Sequence, residues 1–337
     1  MTRDFLVYGT ALYPKAAPEK VRSLLPKIVG YAEKHGFDGL LSFYNHHDLD
    51  PWMVGGNILT HSSTVSPLIA LQPYSVPPFT AAKMIHSLTF LHQRRVDVNL
   101  ITGAADHELV EVGDALGHDD RYERAAEYIS VVRSLLSSEQ PLSHSGRYYD
   151  LQGINTNSFI PAPLRPRVFM AGSSAANRKT ADSVADFAIT HPEPVSMFAD
   201  TFADRSGTKV GIGVRLGIIA RTSSKEAWSV ARSQFVPNRE TRLKARIRRR
   251  SSSDWSRRIA NLATDSEVYD GVYWTGAYLS DKGSMPILVG SYEEVSDYLA
   301  RYLDVGVGAL LLGGVFSRED FHHAGVVLDR VRSRKVA

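Results

Sequence analysis

Apolar segments of strand length alternate with amphipathic segments of helix length along almost the whole chain, and no other feature constrains the fold as strongly. Helical spacing is clearest at 18–36, where apolar residues recur every three or four positions. Nearly continuous apolar strands that are separated by helices form a parallel sheet covered on both faces. Eight apolar segments, each followed by helical material, fit this pattern: 5–12, 39–45, 66–73, 96–103, 167–174, 187–194, 210–220 and 308–315.

Eight strand–helix units in 337 residues predict an α/β fold, the (β/α)8 TIM barrel with insertions. The competing parallel-sheet architecture is the doubly wound fold, whose dinucleotide-binding members carry a GxGxxG turn between a strand and a helix. The nearest glycine cluster, at 305–314, has neither that spacing nor that context. We therefore predict one barrel domain over 1–337.

Two stretches interrupt the alternation, at about 138–166 and 236–290. The first is predicted to form a hairpin and a proline-rich connection. The second contains a basic run at 239–258, and a run of this kind is usually a solvated helix face. A nucleic-acid partner is not expected, because the net charge of the chain is only +3. Long insertions in compact domains are often lids, so the alternative interpretation is a mobile lid that contacts an anionic substrate.

Composition excludes several kinds of site. The chain has no cysteine, which excludes disulfides, thiolate metal sites and a cysteine nucleophile. With 43% hydrophobic and 22% charged residues, it resembles a soluble globular protein. The first residues include no long apolar segment and the chain has no apolar window of membrane-spanning length, so we expect a cytoplasmic protein with no membrane role.

In a barrel the active site lies at the carboxyl ends of the strands. The polar residues at these ends include a cation and many hydrogen-bonding groups, but no serine-centred triad. The adjacent histidines His46 and His47 come with no HExxH motif or paired carboxylates, so we predict no metal. A bound cofactor is then expected to supply the chemistry. The strand-end residues are Tyr44, Asn45, His46, His47, Gln72, Asn99, Thr102, Ser173, Ser174, His191, Glu193 and Arg215.

The segment RVFMAGSSAANRKTADSVA (167–185) passes from an apolar strand into a helix through Gly172, Ser173 and Ser174. The backbone N–H groups at a helix start carry partial positive charge, and serine hydroxyls add donors, so this turn could hold a phosphate. Serine is also among the most frequent helix N-caps. From these residues alone, both interpretations stand.

Five segments carry a family resemblance in collinear order: 96–136, 146–153, 166–186, 213–228 and 287–314. Together they resemble the luciferase-like flavin monooxygenases, and most of all their alkanesulfonate monooxygenase branch. The resemblance covers nearly the whole chain and is weak only in 1–60 and 236–285. It implies a luciferase-like barrel and an enzyme that uses reduced FMN (FMNH2) and O2, through a flavin C4a-(hydro)peroxide, to oxygenate a small organic substrate. An NAD(P)H-dependent flavin reductase would supply the FMNH2.

The resemblance also assigns cofactor contacts. Gly172, Ser173 and Ser174 match the phosphate-binding turn of the family, which favours the phosphate interpretation of that segment. In HDDRYE, His118 and Tyr122 match further phosphate-side contacts, although Tyr122 could serve helix packing alone. Asn99 and Thr102 would lie at the isoalloxazine edge, and the segment ALQP, which contains Gln72, would run beneath the flavin ring.

Several substrate-side residues of the sulfonate branch are replaced. Asp48 stands where relatives have a cysteine, and Gly217 stands where they have a histidine. Val315 replaces a tyrosine, and a mobile-loop arginine falls near Asp281 or Lys282.

The matching arginine is retained as Arg215, which could bind a carboxylate, phosphate or sulfonate or could close a structural ion pair. His46 and His47 are acid–base candidates by position, with a purely structural role as the alternative for at least one.

Two other functions remain compatible with this sequence. One is an F420-dependent oxidoreductase of the same fold that transfers hydride without oxygen, and the other is a non-catalytic flavin-binding subunit. For all of these the resemblance implies a homo-oligomer, either a dimer or a tetramer. The sequence does not identify the substrate.

Overall fold

The computed structural model describes residues 4–12, 18–103, 106–200, 208–247, 254–283 and 285–334. The strands are β1 (Leu6–Thr10), β2 (Gly39–Ser42), β3 (Ser66–Leu71), β4 (Asp97–Leu100), β5 (Leu142–Ser145), β6 (Asp150–Ile154), β7 (Val168–Ala171), β8 (Phe187–Thr190), β9 (Gly211–Arg221), β10 (Val268–Tyr269), β11 (Tyr273–Trp274), β12 (Ile287–Ser291) and β13 (Val307–Gly313).

The α-helices are α1 (Pro18–Lys34), α2 (Pro51–His61), α3 (Pro78–His92), α4 (Asp106–Glu111), α5 (His118–Ser137), α6 (Ala175–Val184), α7 (Val195–Phe198), α8 (Ser224–Gln234), α9 (Arg239–Ile247), α10 (Asp254–Asp265), α11 (Gly276–Leu279), α12 (Tyr292–Asp304) and α13 (Arg318–Ser333). A short 3-10 helix spans Ala162–Leu164. None of the helices in the described ranges is long and apolar enough to cross a membrane.

Eight parallel strands close into a barrel in the order β1, β2, β3, β4, β7, β8, β9 and β13. The ring closes where β13 pairs with β1, with Ala309 opposite Leu6. These are the eight segments that the sequence predicted as strands, so the (β/α)8 barrel is confirmed. Local periodicity was sufficient to predict the strands because each strand is apolar on both faces and each is followed by an amphipathic helix.

The region 236–290 contains regular structure that its sequence did not reveal. Strand β12 lies inside it and pairs in parallel with the second half of β9, from Gly217 to Arg221. This is possible because β9 is 11 residues long, so its first half pairs with β8 and β13 and its second half extends beyond the barrel. Helices α9, α10 and α11 lie in the same region, whereas the residues between α9 and α10 lie outside the described ranges.

The barrel interior is filled at the amino-terminal end of its strands. Tyr8 donates a hydrogen bond of 2.5 Å to the buried carboxylate of Asp97, and the backbone N–H of Arg167 donates to the same carboxylate. A separate apolar cluster that includes Tyr8, Leu68 and Phe169 fills the space above it. A ligand is therefore accommodated only at the opposite end, where the carboxyl ends of the strands lie.

Candidate active site

The turn between β7 and α6 requires glycine at its first position. Gly172 has a φ of +145°, and a Cβ atom there would lie 2.6 Å from the Asn177 side chain. Asn177 is fully buried and donates to the carbonyl of Ala171 at 3.0 Å. This packing brings the backbone of the turn close to the first turn of α6, where unpaired N–H groups point outward.

The two serines of this turn have different partners. Ser174 is the N-cap of α6, and its hydroxyl accepts a hydrogen bond from the Asn177 N–H at 3.2 Å. The Ser173 hydroxyl instead donates to the carboxylate of Asp254 at 2.9 Å. The Ser173 hydroxyl thus contacts an anionic group supplied by the chain itself, while Ser174 serves as the cap that its residue type predicted.

Helix α10 brings further residues over the ends of β7 and β8. Arg258 is paired with Glu193, lies 3.3 Å from Asp254 and donates to Thr190 at 3.2 Å. The ring of Trp255 stacks on that of His191 with centroids 4.4 Å apart. Sequence reasoning missed Asp254 and Trp255 as site residues, and the only signal was that the basic run 239–258 overlaps this helix.

An unpaired donor and an unpaired acceptor lie at the ends of β3 and β4. Gln72 is 2% and Asn99 8% exposed, and these strands are neighbours in the barrel. Within the part of the chain that the structure describes, the Gln72 Nε2 and Asn99 Oδ1 atoms have no hydrogen-bond partner. Buried polar atoms are rarely left unpaired, because each costs about 1–3 kcal/mol. A polar ligand edge at this place would satisfy both. Thr102 is buried beyond the end of β4.

A cavity of about 410 Å³ opens over the barrel mouth beside β9. Arg215 reaches into it from the middle of β9, and among the described residues no acidic side chain pairs with it. Burial lowers the pKa of Arg215, and burial, with the charges of Arg215 and Arg258, lowers the pKa of His191 well below its usual value. A half-buried unpaired cation of this kind favours an anionic ligand.

The wall of this cavity is mainly apolar and comes from distant parts of the chain. Its members include Phe43 near the β2 end, Phe235 after α8, Met285 before β12 and Phe316 after β13. Lys282 adds a second cation at the edge, with its ammonium 2.7 Å from the Gln234 carbonyl. Gly217 also lines the cavity, and a Cβ there would lie 3.1 Å from Ile287.

His46, His47 and Asp48 do not line the cavity that holds Arg215. The Nδ1 atom of His46 lies 2.9 Å from Glu111, and its ring packs edge-on against Tyr44. His47 is exposed, and Asp48 lines a separate pocket of about 20 Å³. The structure therefore places the acid–base candidates His46 and His47, and Asp48 at the replaced cysteine position, outside the main cavity, and catalytic roles for them stay predictions.

His118 and Tyr122 lie at the start of α5, next to the turn after β7. Their rings are in edge contact with centroids 5.0 Å apart, and His118 lies 2.6 Å from Asp119. Because β4 and β7 are neighbours and α5 packs on α6, the two helix starts lie side by side. In the described residues neither side chain bonds to the turn, so their contact with a phosphate stays a prediction.

Sequence comparison matches this chain to a known family. A profile described as Luciferase-like monooxygenase matches residues 9–309. The 4-(gamma-L-glutamylamino)butanoyl-(BtrI acyl-carrier protein) monooxygenase BtrO of Niallia circulans is 43% identical over 299 residues, which are 88% of each chain. The name of this relative does not refer to alkanesulfonates, so it gives no support to that branch of the family.

Solved structures share the fold at low sequence identity. EDTA monooxygenase (EmoA) from Chelativorans sp. BNC1 has a TM-score of 0.77 at 15% identity, covering 99% of this chain and 95% of that one. The oxygenating constituent of 3,6-diketocamphane monooxygenase from Pseudomonas putida, in complex with FMN, has 0.71 at 16% over 98% of both. An F420-dependent secondary alcohol dehydrogenase has 0.65 at 17%, over 99% of this chain and all of that one. These likenesses establish the fold and leave the cofactor open.

Proposed function

Because the chain belongs to the luciferase-like monooxygenase family, we propose that it is an FMNH2-dependent monooxygenase that oxygenates a small organic anion. One observation carries the proposal. The same barrel mouth holds the Gly172 turn, the unpaired atoms of Gln72 and Asn99, and an unpaired Arg215 in a cavity of about 410 Å³. Arg215 without an acidic partner favours the anion-binding interpretation over the structural ion pair.

The residues present fit a flavin mononucleotide. The backbone N–H groups at the start of α6 would bind its phosphate, and the Ser173 hydroxyl would add a donor once it is released from Asp254, with His118 and Tyr122 beside them. The Gln72 donor, the Asn99 acceptor and Thr102 would bind the polar edge of its ring. When bound, reduced FMN would supply the electrons that activate O2.

The protein side of the reaction is binding, orientation and exclusion of water. Arg215 would pair with the anionic group of the substrate, and Lys282 would add positive charge at the cavity edge. The apolar wall formed by Phe235, Met285 and Phe316 would keep water from the reacting atoms, which limits wasteful loss of activated oxygen. These contacts would hold the substrate at a fixed depth in the cavity.

The relative BtrO suggests a substrate class. Its name specifies a gamma-L-glutamyl group, which carries a free α-carboxylate beside an α-amino group, on an acyl chain held by an acyl-carrier protein. We extend this chemistry to the present chain, so that the carboxylate of a carrier-bound acyl substrate pairs with Arg215. A separate NAD(P)H-dependent flavin reductase would supply the reduced flavin, and we expect the single-domain enzyme to act as a homo-oligomer.

The test is the reaction of the purified protein with reduced flavin and oxygen. Stopped-flow absorbance should show that the protein binds FMNH2 and changes its oxidation by O2, and labelled O2 should appear in the product. A Ser173→Ala variant should bind FMN more weakly. If the protein binds F420 and not FMN, the hydride-transfer alternative is correct. If it binds FMN but no acyl substrate incorporates labelled oxygen, it is a flavin-binding subunit.

A further inference from the structure

Helix α9 presents an exposed surface that combines positive charge with aliphatic side chains. Its nine residues include four basic residues and one acidic residue, a net charge of +3. Leu243 is 57% and Ile247 62% exposed, and Arg239 and Arg242 are exposed beside them. We call these four side chains the α9 surface. Large aliphatic groups left in water among arginines are typical of a protein-binding site rather than of a solvated face.

The other side of α9 is attached to the segment that borders the cavity. Ala245 is buried, and its carbonyl accepts a hydrogen bond of 3.3 Å from Tyr278. Lys244 lies 3.6 Å from Asp281, and the next residue, Lys282, lines the cavity that holds Arg215. Helix α9 therefore packs on the segment that lines the cavity, and the α9 surface lies on the outward side of the helix.

We propose that the α9 surface docks the carrier protein that delivers the acyl substrate, a small and strongly acidic helical protein. This inference rests on the proposed function. Carboxylates of the carrier would pair with Arg239 and Arg242, while apolar residues between them would cover Leu243 and Ile247. The tethered acyl group would then pass Lys282 into the cavity, and its terminal carboxylate would meet Arg215.

Charge and apolar area together favour an acidic protein over the other partners of a basic helix. Nucleic acid would use the arginines but would leave Leu243 and Ile247 uncovered, and the net charge of the whole chain is only +3. An acidic carrier covers both kinds of side chain.

A charge-reversal variant tests the proposal. The probe is the BtrI acyl-carrier protein charged with its 4-(gamma-L-glutamylamino)butanoyl group, and the measurement is fluorescence anisotropy at two salt concentrations. Arg239→Glu/Arg242→Glu should weaken carrier binding by about tenfold or more and remove its salt dependence. The matched control is Lys27→Glu/Lys34→Glu on α1, which packs against α2 and α13; it should stay within about twofold of wild type.

A second variant tests the apolar part of the surface. Leu243→Ser/Ile247→Ser should also weaken carrier binding, while FMN binding and the melting temperature stay unchanged. Equal carrier binding by all variants overturns the proposal. The proposal is also overturned if the α9 variants bind the carrier normally but lose self-association or binding to anionic lipid vesicles.

A second substrate distinguishes an incorrect docking site from an incorrect proposed function. The free acid of the same acyl group is offered together with FMNH2 and labelled O2. If it is oxygenated but the carrier does not bind, the docking site is wrong and the monooxygenase assignment stands. If the protein neither binds FMN nor oxygenates either form, the proposed function itself is wrong.

Discussion

Two arginines on the same strand line the same cavity but differ in their partners. Arg221 is buried and pairs with Glu319 at 3.2 Å, whereas Arg215 has no acidic partner among the described residues. An unpaired charge that is partly removed from water reduces stability, so it persists in a protein only where it is used. Arg221 is therefore the structural arginine of this strand, and Arg215 is the one that we expect to bind a ligand.

Arg215→Met should separate binding from stability. We expect KM for the acyl substrate to rise about 10- to 100-fold, the equivalent of one lost charged hydrogen-bond pair, with FMN binding unchanged. The melting temperature should rise by about 2 °C, because an unpaired charge is removed. Arg221→Met is the matched control and should lower the melting temperature. A fall in melting temperature for Arg215→Met would show that Arg215 is structural.

Asp254→Asn should strengthen flavin binding. The Asp254 carboxylate accepts the hydrogen bond of the Ser173 hydroxyl, so its negative charge would repel a phosphate at the same turn. The neutral amide of the substituted asparagine would still accept that hydrogen bond. We expect the FMN dissociation constant to fall by roughly tenfold, the factor given by about 1.4 kcal/mol of relieved repulsion. Equilibrium fluorescence titration measures the dissociation constant, which should rise in the Ser173→Ala variant. Weaker binding by Asp254→Asn would make Asp254 a ligand-positioning residue.

At the scale of elements, α1 is joined to the connection between α2 and β3 by one carboxylate. Glu33 accepts hydrogen bonds from the Ser62 hydroxyl at 2.8 Å and from backbone and side-chain donors of Ser63 and Thr64. These bonds, that of Ser62 first, lower the pKa of Glu33 from 4.5 to about 2. These hydrogen bonds hold the end of α1 against that connection.

This carboxylate predicts a pH dependence of stability. Because its pKa is lower in the folded state, its stabilisation is complete above pH 4.5 and is lost as the pH falls toward 2. Glu33→Gln should therefore lower the free energy of unfolding at pH 7 and lose less stability than wild type between those pH values. Urea denaturation at pH 7, 4 and 3 checks this. Parallel acid profiles for the two proteins would contradict it.

At the scale of the whole molecule, one buried hydrogen bond links opposite parts of the barrel. Tyr8 on β1 donates to Asp97 on β4, and burial raises the pKa of both groups. Arg167, which precedes β7, lies 3.8 Å from the same carboxylate. The three side chains close the amino-terminal end of the barrel, so they act on the stability of the fold and not on the site at the other end.

A double-mutant cycle should detect this link. Asp97→Ala should cost about 3–5 kcal/mol and Tyr8→Phe about 1–3 kcal/mol, because each leaves a buried polar group without its partner. The double variant should cost less than the sum, since the loss of the bond between Tyr8 and Asp97 is then counted only once. Calorimetry measures the unfolding free energies, and FMN affinity should not change in Tyr8→Phe. Strict additivity would show that the hydrogen bond contributes nothing.

The barrel and its eight strands followed from the sequence because their signal is local. Apolar runs of strand length and the helical spacing after them are properties of neighbouring residues, and parallel strands joined by helices have few ways to pack. The turn at Gly172 was also readable, since only glycine accepts that backbone and that close approach of Asn177. Strand β12 was not, because a short apolar run inside an irregular region does not reveal which strand it will pair with.

By itself, the amino-acid sequence determined the barrel, the end at which a site could form and the residue types available there. Only the tertiary structure decided that the Ser173 hydroxyl bonds to Asp254, 81 residues away, that Arg215 has no acidic partner in the described ranges and that α9 packs on the segment that lines the cavity. The physical reason is that hydrophobic periodicity specifies which face of a segment is buried, whereas the partner of each polar group depends on which distant segments the closed barrel brings together.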